Sequence, residues 1–171
     1  LDGPDPLTAD ALRWAAVHGR GGLGTIVVFA SGNGRSFGED ANLNGYANYP
    51  EVIAVGAVPD DGQVAPYSEG GACVLVCAPG GPDEAVILAQ TKDGILTTDR
   101  SGILGYNGNA ASANNGFTRT FNGTSAAAPL VSGVVALMLQ ANPALGWRDV
   151  QEILLRTART HRPADSGWFT N

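Results

Sequence analysis

Three continuous apolar runs set the hydrophobic pattern of the chain: residues 25–30 (Thr-Ile-Val-Val-Phe-Ala), Val52–Val58, and residues 73–78 (Cys-Val-Leu-Val-Cys-Ala). Each is short, rich in branched side chains and free of polar alternation. That pattern predicts parallel strands buried on both faces. Shorter candidate strands fall at 85–90, 94–98 and 116–121. Helical spacing governs the rest. Asp5-Pro6 supplies a capping acid and a proline at the first helical position, and Leu7, Ala11, Trp14, Ala15 and His18 then recur at helical intervals. The glycines of residues 19–24 stop this helix. A second helix is predicted over 125–140, ended by Asn142-Pro143, and a third over 147–159 with Asp149 in its first turn. Strand and helix alternate early and two helices close the chain, which indicates an α/β layered fold in one unit.

Length and composition agree with one folded unit: 171 residues, of which 44% are hydrophobic, suffice for a sizeable core. The 24 glycines and 10 prolines announce many tight turns. A net charge of −6 with one lysine, Lys92, argues against nucleic acid and suits cationic ligands or substrates. No apolar stretch is expected to reach the length of a membrane span, so no membrane is implied. The chain starts Leu1-Asp2-Gly3 with no leader visible, so residues upstream are expected. Cys73 and Cys77 stand four apart in one predicted strand, roughly 13 Å at about 3.3 Å per residue, too far to be bridged. Two buried thiols are the expected state.

Chemistry concentrates in residues 121–129, Phe-Asn-Gly-Thr-Ser-Ala-Ala-Ala-Pro. Ser125 follows a turn-like Asn122-Gly123 and opens a run of helix formers. Unpaired N–H groups and the helix dipole favour developing negative charge there, which an acyl-transfer nucleophile needs. Pro129 is expected in the helix's opening turn, where a missing N–H is tolerated. An isolated serine at this place would be read as a helix cap. A second informative stretch, Ala30-Ser31-Gly32-Asn33-Gly34, directly follows the first buried strand. It presents the Asn33 amide at the carboxyl end of the sheet, where α/β folds bind ligands. Other signals are weaker. The string Gly-Arg-Gly-Gly-Leu-Gly at 19–24 fits a dinucleotide fingerprint, but it follows a helix instead of a strand, so it reads as a helix stop. Asn122-Gly123-Thr124 fits the glycosylation pattern, yet a sugar there would block Ser125. His18 and His161 look like surface residues, His18 at a helix C-terminus.

The string Gly-Thr-Ser-Ala-Ala-Ala-Pro resembles the nucleophile motif of the subtilisin-like serine proteases. Residues 1–4, 22–25, 30–34, 44–46, 67–69, 97–99, 123–130 and 147–151 together resemble the kexin and furin branch, from Leu1 to about Ala158 and in the family's order. The resemblance implies a subtilisin-like fold with a mostly parallel central sheet flanked by helices, this chain being the C-terminal part of the catalytic domain. It implies a secreted or periplasmic, calcium-dependent serine endopeptidase cutting after basic residues. Ser125 would be the nucleophile, with Asn33 and the Ser125 N–H forming the oxyanion hole. Glu39 and Glu69 would be two of three acidic calcium ligands, Glu39 standing where the family has Asp. Asp2, Asn44 and Tyr46 would line substrate subsites, with Asn44 in place of an acid that faces the substrate's basic side chain. The catalytic Asp and His and the third calcium ligand would come from an upstream segment or a second polypeptide. Two other classes remain open: a peptide-binding pseudoprotease, and another acyl hydrolase such as an esterase, although Ser125 stands in Gly-Thr-Ser-Ala-Ala and not in the elbow Gly-x-Ser-x-Gly.

Overall fold

Asp5 caps the first helix, α1 (Pro6–His18), accepting from the Leu7 and Thr8 N–H groups at 3.0 and 3.1 Å. The computed structural model describes residues 3–89, 92–106 and 116–160. The helical spacing of α1 marks the helix but not its inner face. Leu7 and Trp14 are exposed, and Ala16 is the residue it buries. A 3₁₀ turn over Gly19–Gly22 then stops the helix, as expected of the glycines. Within it Arg20 takes a left-handed conformation, with φ of 52°. Its guanidinium donates to the carbonyls of Gly24, Leu145 and Pro143 at 3.2, 2.9 and 2.9 Å, tying this turn to the far end of the chain.

Strands β1 (Val27–Ala30), β2 (Val52–Val58) and β3 (Val74–Pro79) form a parallel sheet in sequential order. Only the middle strand is buried on both faces. Ile53, Val55 and Ala57 join the main core on one side, while Ala54 packs with Ala41 and Ala47 on the other. The residues of β1 are half-buried, unlike the expectation for 25–30, because among the described residues β1 pairs along one edge only. The cysteines also differ from expectation. Both thiols are free, as the spacing requires, but Cys73, just before the outer strand β3, is half-buried and Cys77, within that strand, is exposed.

The segment expected as a strand at 85–90 is helical over its described part: α2 (Glu84–Leu88) starts because Asp83 accepts from the Ala85 N–H at 2.9 Å, and Glu84 complements the first turn. A cap and an acidic first turn outweighed the local branched side chains. Strands β4 (Ile95–Thr98) and β5 (Phe117–Phe121) pair antiparallel as a separate two-stranded sheet. They lead into α3 (Thr124–Ala141), which packs against β1, β2 and β3. Helix α4 (Trp147–Thr157) follows and packs on β3, with Val150 fully buried.

Helix α3 corrects two expectations. Pro129 is its sixth residue and so lies inside the helix, where it leaves the Ser125 carbonyl without the usual donor four residues on. And α3 is long and apolar enough to cross a membrane, by length and composition alone. Its inner face, Ala127, Ala128, Val131 and Val135, belongs to the core, whereas Leu130, Val134 and Leu137 are exposed on its outer face.

Candidate active site

Gly123 makes the turn from β5 into α3. Its φ of 96° suits a residue without a side chain, and a Cβ there would crowd the Asn33 amide at 3.2 Å. Its N–H reaches the Gly80 carbonyl at 2.9 Å and the Tyr67 hydroxyl at 3.3 Å. The Tyr67 hydroxyl lies 2.7 Å from the carbonyls of both Gly80 and Gly81. Burial pushes the Tyr67 phenol upward in pKa, so it stays a neutral donor near neutral pH. The turn before Ser125 is thereby held at its backbone by groups from two separate segments.

Ser125 is exposed on the first turn of α3, between the buried residues Thr124 and Ala126. The Gly123 carbonyl accepts from Ala126 N–H at 2.9 Å, and the Thr124 N–H is taken by Asn33 Oδ1 at 2.9 Å. The Ser125 N–H has no hydrogen-bond partner among the described residues. Asn33 follows the carboxyl end of β1, as the sequence indicates. Its Oδ1 also accepts from the Thr124 hydroxyl at 2.9 Å, and that hydroxyl accepts in turn from Gly32 N–H at 3.3 Å. With its oxygen doubly engaged, the amide is fixed in one of its two flip states. Nδ2 is left beside Gly123, without a partner among the described residues. Among the described residues two free donors, the Asn33 side-chain amide beside Gly123 and the Ser125 backbone N–H, therefore lie at the helix N-terminus that carries the exposed Ser125. Such an arrangement can stabilise an oxyanion formed by attack of Ser125 on a carbonyl.

The two carboxylates expected at a metal both meet the Asn33 loop. Glu69 is buried, at 6% exposure, and its Oε1 accepts from Gly34 N–H at 2.9 Å. Its carboxylate fills the space a side chain at Gly32 would need, and the Glu39 carboxylate does the same at Gly34. No basic side chain pairs with Glu69 among the described residues. A buried carboxylate with one hydrogen bond and no cationic partner is costly unless a cation joins it. The residues present therefore fit a hard cation. They do not complete its shell, since no group of three His, Cys, Asp or Glu side chains suited to a metal occurs among the described residues.

Of the expected subsite residues, Asp2 lies outside the described residues. Asn44 is half-buried, and its Oδ1 caps the local turn by accepting from the Tyr46 and Ala47 N–H groups at 3.0 and 3.3 Å. The Tyr46 ring is partly exposed and meets Phe29 of β1 edge to face at 6.0 Å. His18 stands exposed at the end of α1, stacked on Trp14, with Nδ1 3.1 Å from the Trp14 carbonyl; His161 lies outside the described residues. The Asn122 amide donates to the Pro82 carbonyl at 3.2 Å, and Thr124 is fully buried, a poor setting for a sugar. Two contributors to the site carried no role in the sequence reading. Thr124 stood in the serine motif without a task, and Tyr67 stood beside Glu69 in a segment noted only for that acid.

Parallel sheet, serine-bearing helix and amide-bearing loop together define a subtilisin-like scaffold. The chain belongs to the Subtilase family, whose profile matches residues 2–170. It is 39% identical over its whole length to human proprotein convertase subtilisin/kexin type 7. It is also 39% identical over 150 residues, 86% of the chain, to a calcium-dependent protease of Nostoc sp.. The chain spans 20% and 22% of these two relatives. Among solved structures, a serine protease of Aeromonas sobria in complex with a chaperone matches with a TM-score of 0.79 at 22% identity, covering 93% of this chain and 32% of the other. A protease from Pseudoalteromonas arctica matches with a TM-score of 0.67 at 28% identity, covering 91% of this chain and 41% of its own.

Proposed function

We propose that these residues form the nucleophile half of a calcium-dependent serine endopeptidase of the kexin type, acting on peptides or proteins and preferring basic residues before the scissile bond. The observation that carries this reading is the pair of donors without partners among the described residues, Asn33 Nδ2 and Ser125 N–H, at the helix start that carries the exposed Ser125. In the proposed reaction Ser125 Oγ attacks the peptide carbonyl carbon and its proton passes to a histidine, which an aspartate orients. The carbonyl oxygen becomes an oxyanion that accepts from Asn33 Nδ2 and the Ser125 N–H. Collapse expels the amine, which takes the proton from the histidine, and leaves an ester on Ser125. Water then hydrolyses that ester.

The histidine, the aspartate and a third calcium ligand are assigned to a second polypeptide or upstream segment. The exposed apolar side chains Leu130, Val134 and Leu137 of α3 and the one-sided pairing of β1 support a covering partner there. A fluorophosphonate probe tests the reading: the full natural protein should be labelled at Ser125 and cleave peptides. Peptide binding without labelling would point instead to an inactive peptide-binding module. The 171-residue chain by itself should label slowly and self-associate. Monomeric behaviour with labelling at the rate of an intact protease would remove the second polypeptide from the proposal.

Glu39 and Glu69 are the residues here that would hold calcium, which would neutralise their charge beside the Asn33 loop. Chelation is expected to lower both activity and melting temperature. A ligand at a hundredfold excess over its Kd stabilises by about 2.7 kcal/mol, several degrees for a domain of this size. Equal melting temperatures in chelator and in excess calcium would refute the assignment.

Asn44→Asp should sharpen the preference for Arg or Lys before the scissile bond. One carboxylate oxygen can keep the Tyr46 and Ala47 N–H groups, leaving the other and the charge for the substrate. A hydrogen bond to a charged group is worth about 1.5–3 kcal/mol, so the ratio of basic to neutral kcat/KM should rise about 10- to 100-fold. An unchanged ratio would assign that selectivity to another acid.

A further inference from the structure

Asn33, the residue with the free amide, is followed by glycine, the neighbour that least obstructs attack of a backbone nitrogen on an asparagine side chain. In that reaction the Gly34 nitrogen gives up its proton to solvent base and bonds to Asn33 Cγ. The Cγ–Nδ2 bond breaks and ammonia leaves. Water then opens the five-membered imide to aspartate or its β-linked isomer. The net change is amide plus water to acid plus ammonia, with no oxidant or cofactor. At Asn33 it would replace an oxyanion donor by a carboxylate.

Three Asn-Gly pairs lie among the described residues, and their glycine nitrogens are not alike. Gly34 N–H donates to the buried Glu69 Oε1 at 2.9 Å. Gly123 N–H donates to the Gly80 carbonyl at 2.9 Å. Gly45 N–H has no hydrogen-bond partner among the described residues. The Gly34 N–H is engaged by a buried side-chain oxygen, and that hydrogen bond must break before the nitrogen can turn onto Asn33 Cγ. Asn33 Oδ1 is meanwhile held by both donors of Thr124, which resists the side-chain rotation that ring closure requires.

We propose that Asn33-Gly34 is a latent self-modification site and that the Glu69 carboxylate, by holding the Gly34 N–H, keeps the Asn33 amide from converting to an acid. Glu69 thus preserves the neighbouring amide chemically, apart from any cation it binds. The protection is local, being addressed to one peptide nitrogen.

The test is peptide mapping by mass spectrometry of the full natural protein after incubation in mildly alkaline buffer, comparing parent, Glu69→Ala and Glu69→Gln. In Glu69→Ala the conversion at Asn33 should rise about 10- to 100-fold, the equivalent of one hydrogen bond to a charged group, while Asn44 and Asn122 keep their parental rates. Glu69→Gln retains an oxygen that can accept from Gly34 N–H and should keep part of the protection, a neutral acceptor holding more weakly than a charged one. An unchanged Asn33 rate in Glu69→Ala overturns the proposal. So does an equal rise at all three asparagines, the mark of general unfolding, or a Glu69→Gln rate as high as that of Glu69→Ala. The readout is mass alone, so it stands or falls separately from the protease reading, which the Ser125 probe decides.

Discussion

Ser125→Ala is expected to abolish peptide cleavage by the full natural protein while leaving peptide binding and melting temperature nearly unchanged. The side chain is exposed and its hydroxyl has no hydrogen-bond partner among the described residues, so removing it breaks no packing and orphans no polar group. Alanine is also at least as good a helix former as serine at the start of α3. The loss should therefore fall on the chemical step. In subtilisin, a member of the same family, removing the nucleophile lowers kcat on the order of a million-fold, and a loss of that order is expected here by family analogy. Steady-state kinetics with a chromogenic peptide, paired with binding of a non-cleavable peptide, separates the two effects. Turnover within tenfold of the parent would take Ser125 out of the nucleophile role.

Substitution of Asn33 should have the next largest effect, and the choice of substitution separates its two jobs. Asn33→Ala removes the Nδ2 donor and also the acceptor of two Thr124 donors, one of them on a fully buried side chain. Unmaking such buried bonds costs about 1–3 kcal/mol in stability, so this variant should melt lower as well as turn over slowly. Asn33→Asp keeps an oxygen for Thr124 but sets a negative charge where the oxyanion forms, so it should retain the parental fold and lose at least as much rate. For loss of the corresponding amide in subtilisin the fall in kcat is about 100- to 1,000-fold, and that range is carried over by family likeness. If Asn33→Asp cleaves within a few-fold of the parent, the donor pair is not an oxyanion hole.

How far the sequence disclosed this site depended on whether local chemistry or distant packing decided each feature. The strand Val52–Val58 was legible because its burial on both faces demands an uninterrupted apolar run. The Asp5 cap and the helix stop at Gly19–Gly22 were legible because both act within a few residues. The segment at 85–90 misled because Asp83, outside the apolar run, sets the helix of its described part. The inner face of α1 and the exposure of β1 were hidden because both depend on what lies beside them. At the site, Ser125 and Asn33 were found from a motif and a strand end. The roles of Thr124 and Tyr67 arise from contacts spanning about 90 and 56 positions, which no local pattern encodes.

Arg20 reaches the Leu145 and Pro143 carbonyls across 125 and 123 positions of sequence, and the Trp147 N–H returns to the Leu23 carbonyl at 2.9 Å. Amide hydrogen exchange would register this clasp as shared timing. Helix α4 near the end of the chain and the turn after α1 near its beginning should open together, and Arg20→Ala should let their exchange rates drift apart. Cleavage of the chain between them would then leave two fragments joined at this clasp as well as through the core they share.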